Sequence, residues 1–413
     1  MKEVKRGQKE FLKILESFMH NKKYCMPEDF QEMQELCQLA GKHKMMAAVY
    51  EQIRLSSVFN KKEYEQISLG WKRAAVRDVM FQIQRTEGFF MMYEKLCEAG
   101  LRPLVVKGIV CRNLYEKSDY RISADEDILV PKEAFEVCDK IFLQEGFVRE
   151  NLNPKQLPYE ISYIHPQRGV HIELHLSLFP EESGAYGHLN DEFLNVFENC
   201  ICEEIQGKKI WTLSPTEHFL FLICHSFKHF LHSGFGIRQV CDMVMMAEHY
   251  GNCIDWRILQ KTLARLNMET YWQALMKMSK EHLGFSCEKA ACPMDMQNDE
   301  IDYEPLLYDL LDGGIYGDST MERKHSSNIT LAAAKSGKKD TAASLKKSLF
   351  PESVYMKKQF EWLEKYPWLL WAAYGIRIAR YIKSSPKEEK QEQNSVQIGM
   401  ERVELLRKYN IIK

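Results

Sequence analysis

The spacing of apolar residues along this chain changes twice, which restricts it to a small sheet preceded and followed by helices. Up to about Gly100 the spacing is helical: Val76, Val79, Met80, Ile83, Phe90, Tyr93, Leu96 and Cys97 fall on three- and four-residue steps, as one helix face requires. Gly100, with Pro103 beyond it, is a stop signal. Leu104 to Val106 then read as a short strand, and KGIVCRNLY returns to helical spacing through Val110, Leu114 and Tyr115. The loop EKSDYRIS leads to a strand at 125–130. Pro131 opens the helix PKEAFEVCDKIFLQEG at its favoured first position, and Gly146 closes it. Glu160 to His165 and Val170 to Leu178 are extended runs joined by the turn-forming PQRG, the signature of a hairpin.

The second change returns the chain to helix. Ser214, Pro215 and Glu217 occupy the N-cap, first and third helical positions of a capping box. On that helix His218, His225, His229 and His232 fall within a stripe of roughly 60°, so they are expected to share one polar face. Phe219, Leu220, Ile223, Phe227, Phe230 and Leu231 cover the opposite side. In the next helix Arg238 and Asp242 stand at the ion-pairing spacing i, i+4. Further helices run to about Gly284. Residues 321–348 are polar, basic and poor in large apolar groups, the composition of a mobile loop. Residues 384–395 read as a charged linker, and YPWLLWAAYGIRIARYI as a helix packed on the main body rather than on a membrane surface.

The expected class is therefore α+β, mostly α. Its parts are a helical region at 1–100, a mixed-sheet domain at 101–210, a helical domain at 211–300 and a helical extension at 301–413. At 413 residues the chain has material for an ample core. Its 56 Lys and Arg against 58 Asp and Glu leave a formal charge of -2, which creates no global attraction for nucleic acid. No apolar run approaches the roughly 18 residues of a membrane span, and the charged start lacks a signal-peptide core, so a cytoplasmic protein is expected. The 12 Cys include no CxxC and read as buried free thiols.

Chemistry concentrates in the sheet. In an extended strand Asp125 and Asp127 point the same way, while Ile128 and Val130 can pack behind them. Glu173 alternates with Val170, Ile172, Leu174 and Leu176, sharing its face with His171 and His175. If the two strands are neighbours, the three carboxylates converge. Such a set suits two Mg²⁺ ions about 3.5 to 4 Å apart, which would activate an attacking hydroxyl and stabilise a leaving pyrophosphate. A solvated strand edge is the plainer alternative.

The order of strand, KG turn, helix, Arg, DxD strand and a later acid between hydrophobics resembles the nucleotidyltransferase superfamily whose palm is shared with DNA polymerase β. Specifically it resembles the bacterial branch of nucleotidyltransferase family proteins. The likeness runs in order through VVKGIVCRNLY, ADEDILVP, HIELHLSL, SPTEHFLFLICHSFKH, IRQVCDMVMM, LLDGGIYG and the aromatic segment, over about residues 20 to 383. It implies a palm at 101–210, with Asp125, Asp127 and Glu173 as catalytic metal ligands for Mg²⁺ or Mn²⁺. Lys107 and Gly108 stand where relatives place a Gly-Ser phosphate turn, and Arg121 stands as a triphosphate clamp. Beside the resemblance, the histidine stripe itself reads as a cleft wall, with His225 and His229 contacting nucleotide or acceptor and Arg238 and Asp242 fixing their orientation.

The implied activity moves a nucleoside monophosphate from an NTP, taken as ATP, to a sugar, small-molecule or protein acceptor. Three departures support an alternative, a nucleotide-binding or interaction protein of the same fold without catalysis. They are Glu126 between the aspartates, Ala124 before them, and the missing serine. A metal hydrolase built on the histidines is a third reading.

Overall fold

A computed structural model of the chain describes residues 4–150, 157–232, 234–313, 321–336, 356, 360, 362–383 and 386–412. The expected class is found, a mostly helical chain around one mixed seven-stranded sheet. Four helices come first: α1 (Arg6–Met19), α2 (Met33–Lys42), α3 (Met46–Ile53) and the long α4 (Glu65–Glu98). In α1 Phe11, Leu12, Ile14, Leu15, Phe18 and Met19 form the buried side. Beyond α4, Gly100 takes φ 80°, a left-handed stop that glycine accepts without steric cost.

α4 departs from its apolar pattern up to about Thr86. Val76, Met80 and Ile83 are exposed, while Trp71, Ala75, Gln82 and Thr86 face inward. Specific polar bonds accompany that rotation. The Trp71 indole donates to the Met46 carbonyl at 3.0 Å, and Gln82 Oε1 accepts from the Ser123 N–H at 2.7 Å.

The strands are β1 (Leu104–Val105), β2 (Glu126–Leu129), β3 (Val148–Arg149), β4 (Glu160–His165), β5 (Val170–His175), β6 (Ile201–Ile205) and β7 (Lys208–Thr212). They lie in the order β3-β4-β5-β2-β1-β7-β6. β2 runs parallel to β5 and β1 parallel to β7, and every other pairing is antiparallel. Between strands come α5 (Ile109–Asn113), α6 (Phe135–Gln144) and the short α7 (Val196–Asn199). One sheet face carries Val105, Ile128, Val130, Ile161, Tyr163, Ile172 and Leu174 into a core with Phe89, Phe90 and Tyr93 of α4 and Phe135 and Phe142 of α6. Gly88 marks the closest approach of α4, where a Cβ would sit 2.4 Å from Val170 Cγ2.

The other face looks toward α8 (Pro215–Leu231), α9 (Ile237–Tyr250), α10 (Trp256–Arg265) and α11 (Glu269–His282). One continuous core joins these helices to α1, α2 and α3 and to Leu104 and Leu129 of the sheet. α8 begins at the expected Ser214 and Pro215, yet Ser214 Oγ donates to Glu217 Oε2 at 2.5 Å instead of capping a backbone N–H. Phe219 packs edge-on against Trp256 and Trp272, at ring separations of 5.5 and 5.2 Å. The histidine face is not hydrated. His218, His225 and His229 are buried against the sheet, where His218 Nδ1 lies 3.2 Å from Thr212 Oγ1 of β7.

Beyond them lie α12 (Glu304–Gly313), α13 (Met321–Ser336), α14 (Trp362–Lys365), α15 (Leu370–Lys383) and α16 (Pro386–Lys408). The mobile loop expected at 321–348 is helical through Ser336, and its remainder lies outside the described residues. The linker expected at 384–395 is helical from Pro386. Packing overrides composition in both, because α13 lies against α16, with Ile329 close to Gly399. In the aromatic segment Ala373 packs with Met356, Phe360 and Leu363 in a small cluster of its own, while Trp368 and Trp371 are exposed. No described helix is long and apolar enough to cross a membrane. Cys111, Cys138, Cys224, Cys241 and Cys292 are buried free thiols.

One buried ion pair ties the loop before β2 to the helical side. Arg121 forks onto both carboxylate oxygens of Asp242 in α9, and the Tyr115 hydroxyl donates to Asp242 Oδ1 at 2.9 Å. Asp242→Ala would leave a buried guanidinium and hydroxyl unpaired and is expected to cost about 3–5 kcal/mol. Denaturant unfolding checks this; a loss of only about 1 kcal/mol, as for a surface pair, would contradict it.

Candidate active site

Register makes the site. Parallel pairing sets Asp127 beside Glu173 and Leu129 beside His175, while Ile128 and Leu174 pair on the opposite face. Asp125 immediately precedes β2 on the Asp127 face. The hairpin extends this polar surface, since Ser162 lies beside Glu173 and Glu160 beside His175. Two groups of ligand-bearing atoms result, Asp125 with His171 and Glu173, and Asp127 with Glu173 and His175. Within each group the atoms lie no more than 4.8 Å apart. Asp127 and His175 form a buried floor, and Asp125, His171 and Glu173 are half-buried above it.

Lys107 opposes the negative charge. Its Nζ lies 2.9 Å from Asp127 Oδ2 and 3.4 Å from His225 Nε2. His175 Nε2 lies 3.2 Å from Asp127 Oδ1 and 3.8 Å from Glu173 Oε2. Burial works against an ionised Asp127, but Lys107 and His175 outweigh it and hold the carboxyl well below the usual range. Burial likewise opposes the Lys107 ammonium, and Asp127, Asp125 and Glu173 together keep it charged. Glu173 goes the other way. Burial, followed by the charges of Asp127 and Asp125, pushes its carboxyl up to about 9.

α8 roofs the floor. His229 Nε2 lies 3.2 Å from His225 Nε2, and burial with neighbouring lysines pushes both imidazoles far below their ordinary range, so both are neutral. Lys228 donates to the Tyr159 hydroxyl at 3.0 Å, and burial depresses its ammonium pKa.

The structure thus brings Asp125, Asp127, Glu173, Lys107, His225 and His229 together. Gly108 adjoins them in a different capacity. It has φ 54°, and a Cβ there would sit 1.9 Å from Glu126 Oε2, so only glycine lets the turn close over that carboxylate. Glu126, between the two aspartates, is buried on the opposite sheet face. It accepts the Ile109 N–H at 2.6 Å and pairs with the Arg112 guanidinium, which also donates to Thr86 Oγ1 at 3.1 Å. The unusual charge between the aspartates therefore braces the KG turn from beneath.

Arg121 and Asp242 are committed to each other, so Arg121 is no free clamp and Asp242 does not orient the histidines. Arg238 does not hydrogen-bond Asp242; it donates to the Ile122 carbonyl. Burial, and then Arg121, bring its pKa down to about 10 against the pull of Asp242 and Asp125. Among the described residues the α8 histidines join no metal-capable group; the histidines that do are His171 and His175 of β5. Their signal was the same alternation that placed Glu173. Glu160 and Ser162 needed the hairpin register as well.

A hard divalent cation fits this donor set. Three carboxylates offer oxygen ligands, and their ligand atoms with those of His171 and His175 fall into two groups each within 4.8 Å.

The family model described as uncharacterised nucleotidyltransferase matches residues 29–284, more than half of the chain, and the chain belongs to that family. No curated protein and no solved structure matches it.

Two outcomes follow from the local electrostatics. A carboxyl held near 9 binds a proton in the folded state that the unfolded chain releases above about 4.5. Stability is thus lost as pH rises between those values. Glu173→Gln is expected to raise the cation-free melting temperature by a few degrees at pH 8 and to have little effect at pH 4; equal shifts at both would contradict the assignment. Glu126→Ala strands buried Arg112 and is expected to destabilise by about 3–5 kcal/mol in chemical denaturation; a surface-like loss would show that Glu126 does not brace the turn.

Proposed function

We propose that this nucleotidyltransferase-family protein moves a nucleoside monophosphate from an NTP, ATP in the first instance, to an acceptor hydroxyl or phosphate. One observation carries the reading: the β2–β5 register that aligns Asp127 with Glu173 and leaves Asp125 on the same face. Asp125, Asp127 and Glu173 would hold Mg²⁺ or Mn²⁺, which supplies charge neutralisation for the triphosphate and Lewis acidity at the acceptor oxygen.

The chain's own groups account for the rest. Lys107 offers a fixed positive charge beside the floor, suited to an anionic triphosphate. The Ile109 N–H is spent on Glu126, so phosphate contact at the KG turn falls to the lysine rather than to that amide. Lys228 and Arg238 flank the carboxylates as further cationic groups. The acceptor oxygen forms its bond to the α-phosphorus as the bond to the pyrophosphate oxygen breaks. Glu173, the most exposed acceptor of the Asp127 group, would give up its own proton when a cation is held beside it and is then suited to take the acceptor's proton. Neutral His225 and His229 close the site from above without adding charge.

A bound nucleotide without turnover is the second reading, which Glu126 no longer favours because its carboxylate faces away from the site. Incubation with each NTP and Mg²⁺, followed by mass analysis of small-molecule and protein products, separates the two. Nucleotidylated product and pyrophosphate are expected from the native chain. Asp125→Ala, Asp127→Ala and Glu173→Ala should lose at least about a hundredfold in rate, the scale of removing a principal electrostatic group. Full activity in folded variants would contradict the site.

A further inference from the structure

The carboxylates do not stand alone on their strand. β5 presents His171, Glu173 and His175 in alternation on one face, and both histidines fall within ligand range of the acids. His175 Nε2 is 3.2 Å from Asp127 Oδ1 and 3.8 Å from Glu173 Oε2. Ligands about 2.1 Å from one ion lie roughly 3 to 4.2 Å apart, so the separation of His175 Nε2 from each carboxylate oxygen is one that a shared cation spans, and the ligand atoms of all three residues lie within 4.8 Å of one another. The floor is built for this. Asp127 is 2% and His175 5% exposed, Asp127 Oδ2 is paired with Lys107, and Asp127 Oδ1 faces His175 Nε2.

The surroundings of the imidazoles point the same way. His175 turns Nε2 toward the acids, and its buried Nδ1 has Glu160 Oε2 4.0 Å away, beyond hydrogen-bond reach. Ser162 Oγ lies 2.6 Å from His171 Nε2. A hydrogen-bond partner behind a ligating imidazole is the usual means of fixing its ring and tautomer, and Ser162 plays that part for His171. Ser162 comes from β4, whose pairing with β5 makes its position a consequence of sheet register rather than of loop conformation.

We infer that His171 and His175 are cation ligands in addition to the carboxylates, which makes the centre a mixed nitrogen and oxygen site that prefers a first-row transition dication to Mg²⁺. Imidazole favours such ions, whereas Mg²⁺ takes oxygen ligands and sheds its water reluctantly. The inference rests on the nucleotidyltransferase reading for what the cation does, but not for where it binds.

Mn²⁺ is the probe. Electron spin-echo modulation of the Mn²⁺-loaded full chain reads nitrogen ligation directly, and calorimetry with Mn²⁺ and with Mg²⁺ reads the preference, neither needing turnover. Directly bound ¹⁴N is expected in the native chain, diminished in His175→Ala and His171→Ala and absent in the double variant. The ratio of Mn²⁺ to Mg²⁺ affinity should fall by at least about tenfold in His175→Ala. No ¹⁴N coupling in the native chain, or coupling that survives in the double variant, overturns the inference. Asp127→Asn separates it from the underlying reading: if that variant loses both ions while the histidine variants leave the ratio unchanged, the carboxylate site stands and histidine ligation falls. If Asp127→Asn binds both ions as the native chain does, the carboxylate site falls too.

Discussion

Gathering carboxylates on a half-buried strand surface is unfavourable unless something opposes their charge, and here that something is Lys107 against Asp127. The pair determines what each neighbour can be. Asp127 stays ionised because the ammonium and His175 outweigh its burial. Glu173, one strand over, lacks an equivalent partner and holds a proton instead. A cation held between the two strands would take that proton's place on Glu173, because metal ligands bind deprotonated. Neutral imidazoles from α8 fit above the carboxylates without adding charge.

Lys107 is held in place from the far side of the sheet. Glu126 accepts the Ile109 N–H and pairs with Arg112, and Gly108 is the residue that lets the turn close over it. Arg121 and Asp242 perform the corresponding service at the other end of the loop, tying the approach to β2 onto α9. Two buried ion pairs thereby frame β2 without joining its carboxylate cluster. An acid and a base that look functional in sequence are consumed in positioning, while the histidines of β5 lie against the acids.

Much of the fold was legible because periodicity and turn residues agree with packing. The strand before Pro131, the PQRG hairpin and the stop at Gly100 all appear where apolar spacing and glycine placed them. The convergence of Asp125, Asp127 and Glu173 was legible only as a condition, since alternation gives the face of each strand and not the identity of its neighbour. What spacing could not give was partner choice. Asp242 has an arginine four residues before it in sequence, yet it bonds one 121 residues away. The α8 histidines read as one polar face because sequence does not reveal that a sheet lies over them. In α4 the apolar stripe lost to Trp71 and Gln82, whose hydrogen bonds set the helix rotation. The polar segment from Met321 to Ser336 is helical because α16 lies against it.

The central claim is that the β2–β5 carboxylates are where a divalent cation and the nucleotide meet. A crystal of the full chain grown with Mn²⁺ and a non-hydrolysable nucleoside triphosphate tests it by anomalous scattering. The account predicts a Mn²⁺ peak about 2.1 Å from carboxylate oxygens of Asp127 and Glu173, with the triphosphate running toward Lys107. Nucleotide density elsewhere on the molecule, with no anomalous peak between those strands, would contradict it.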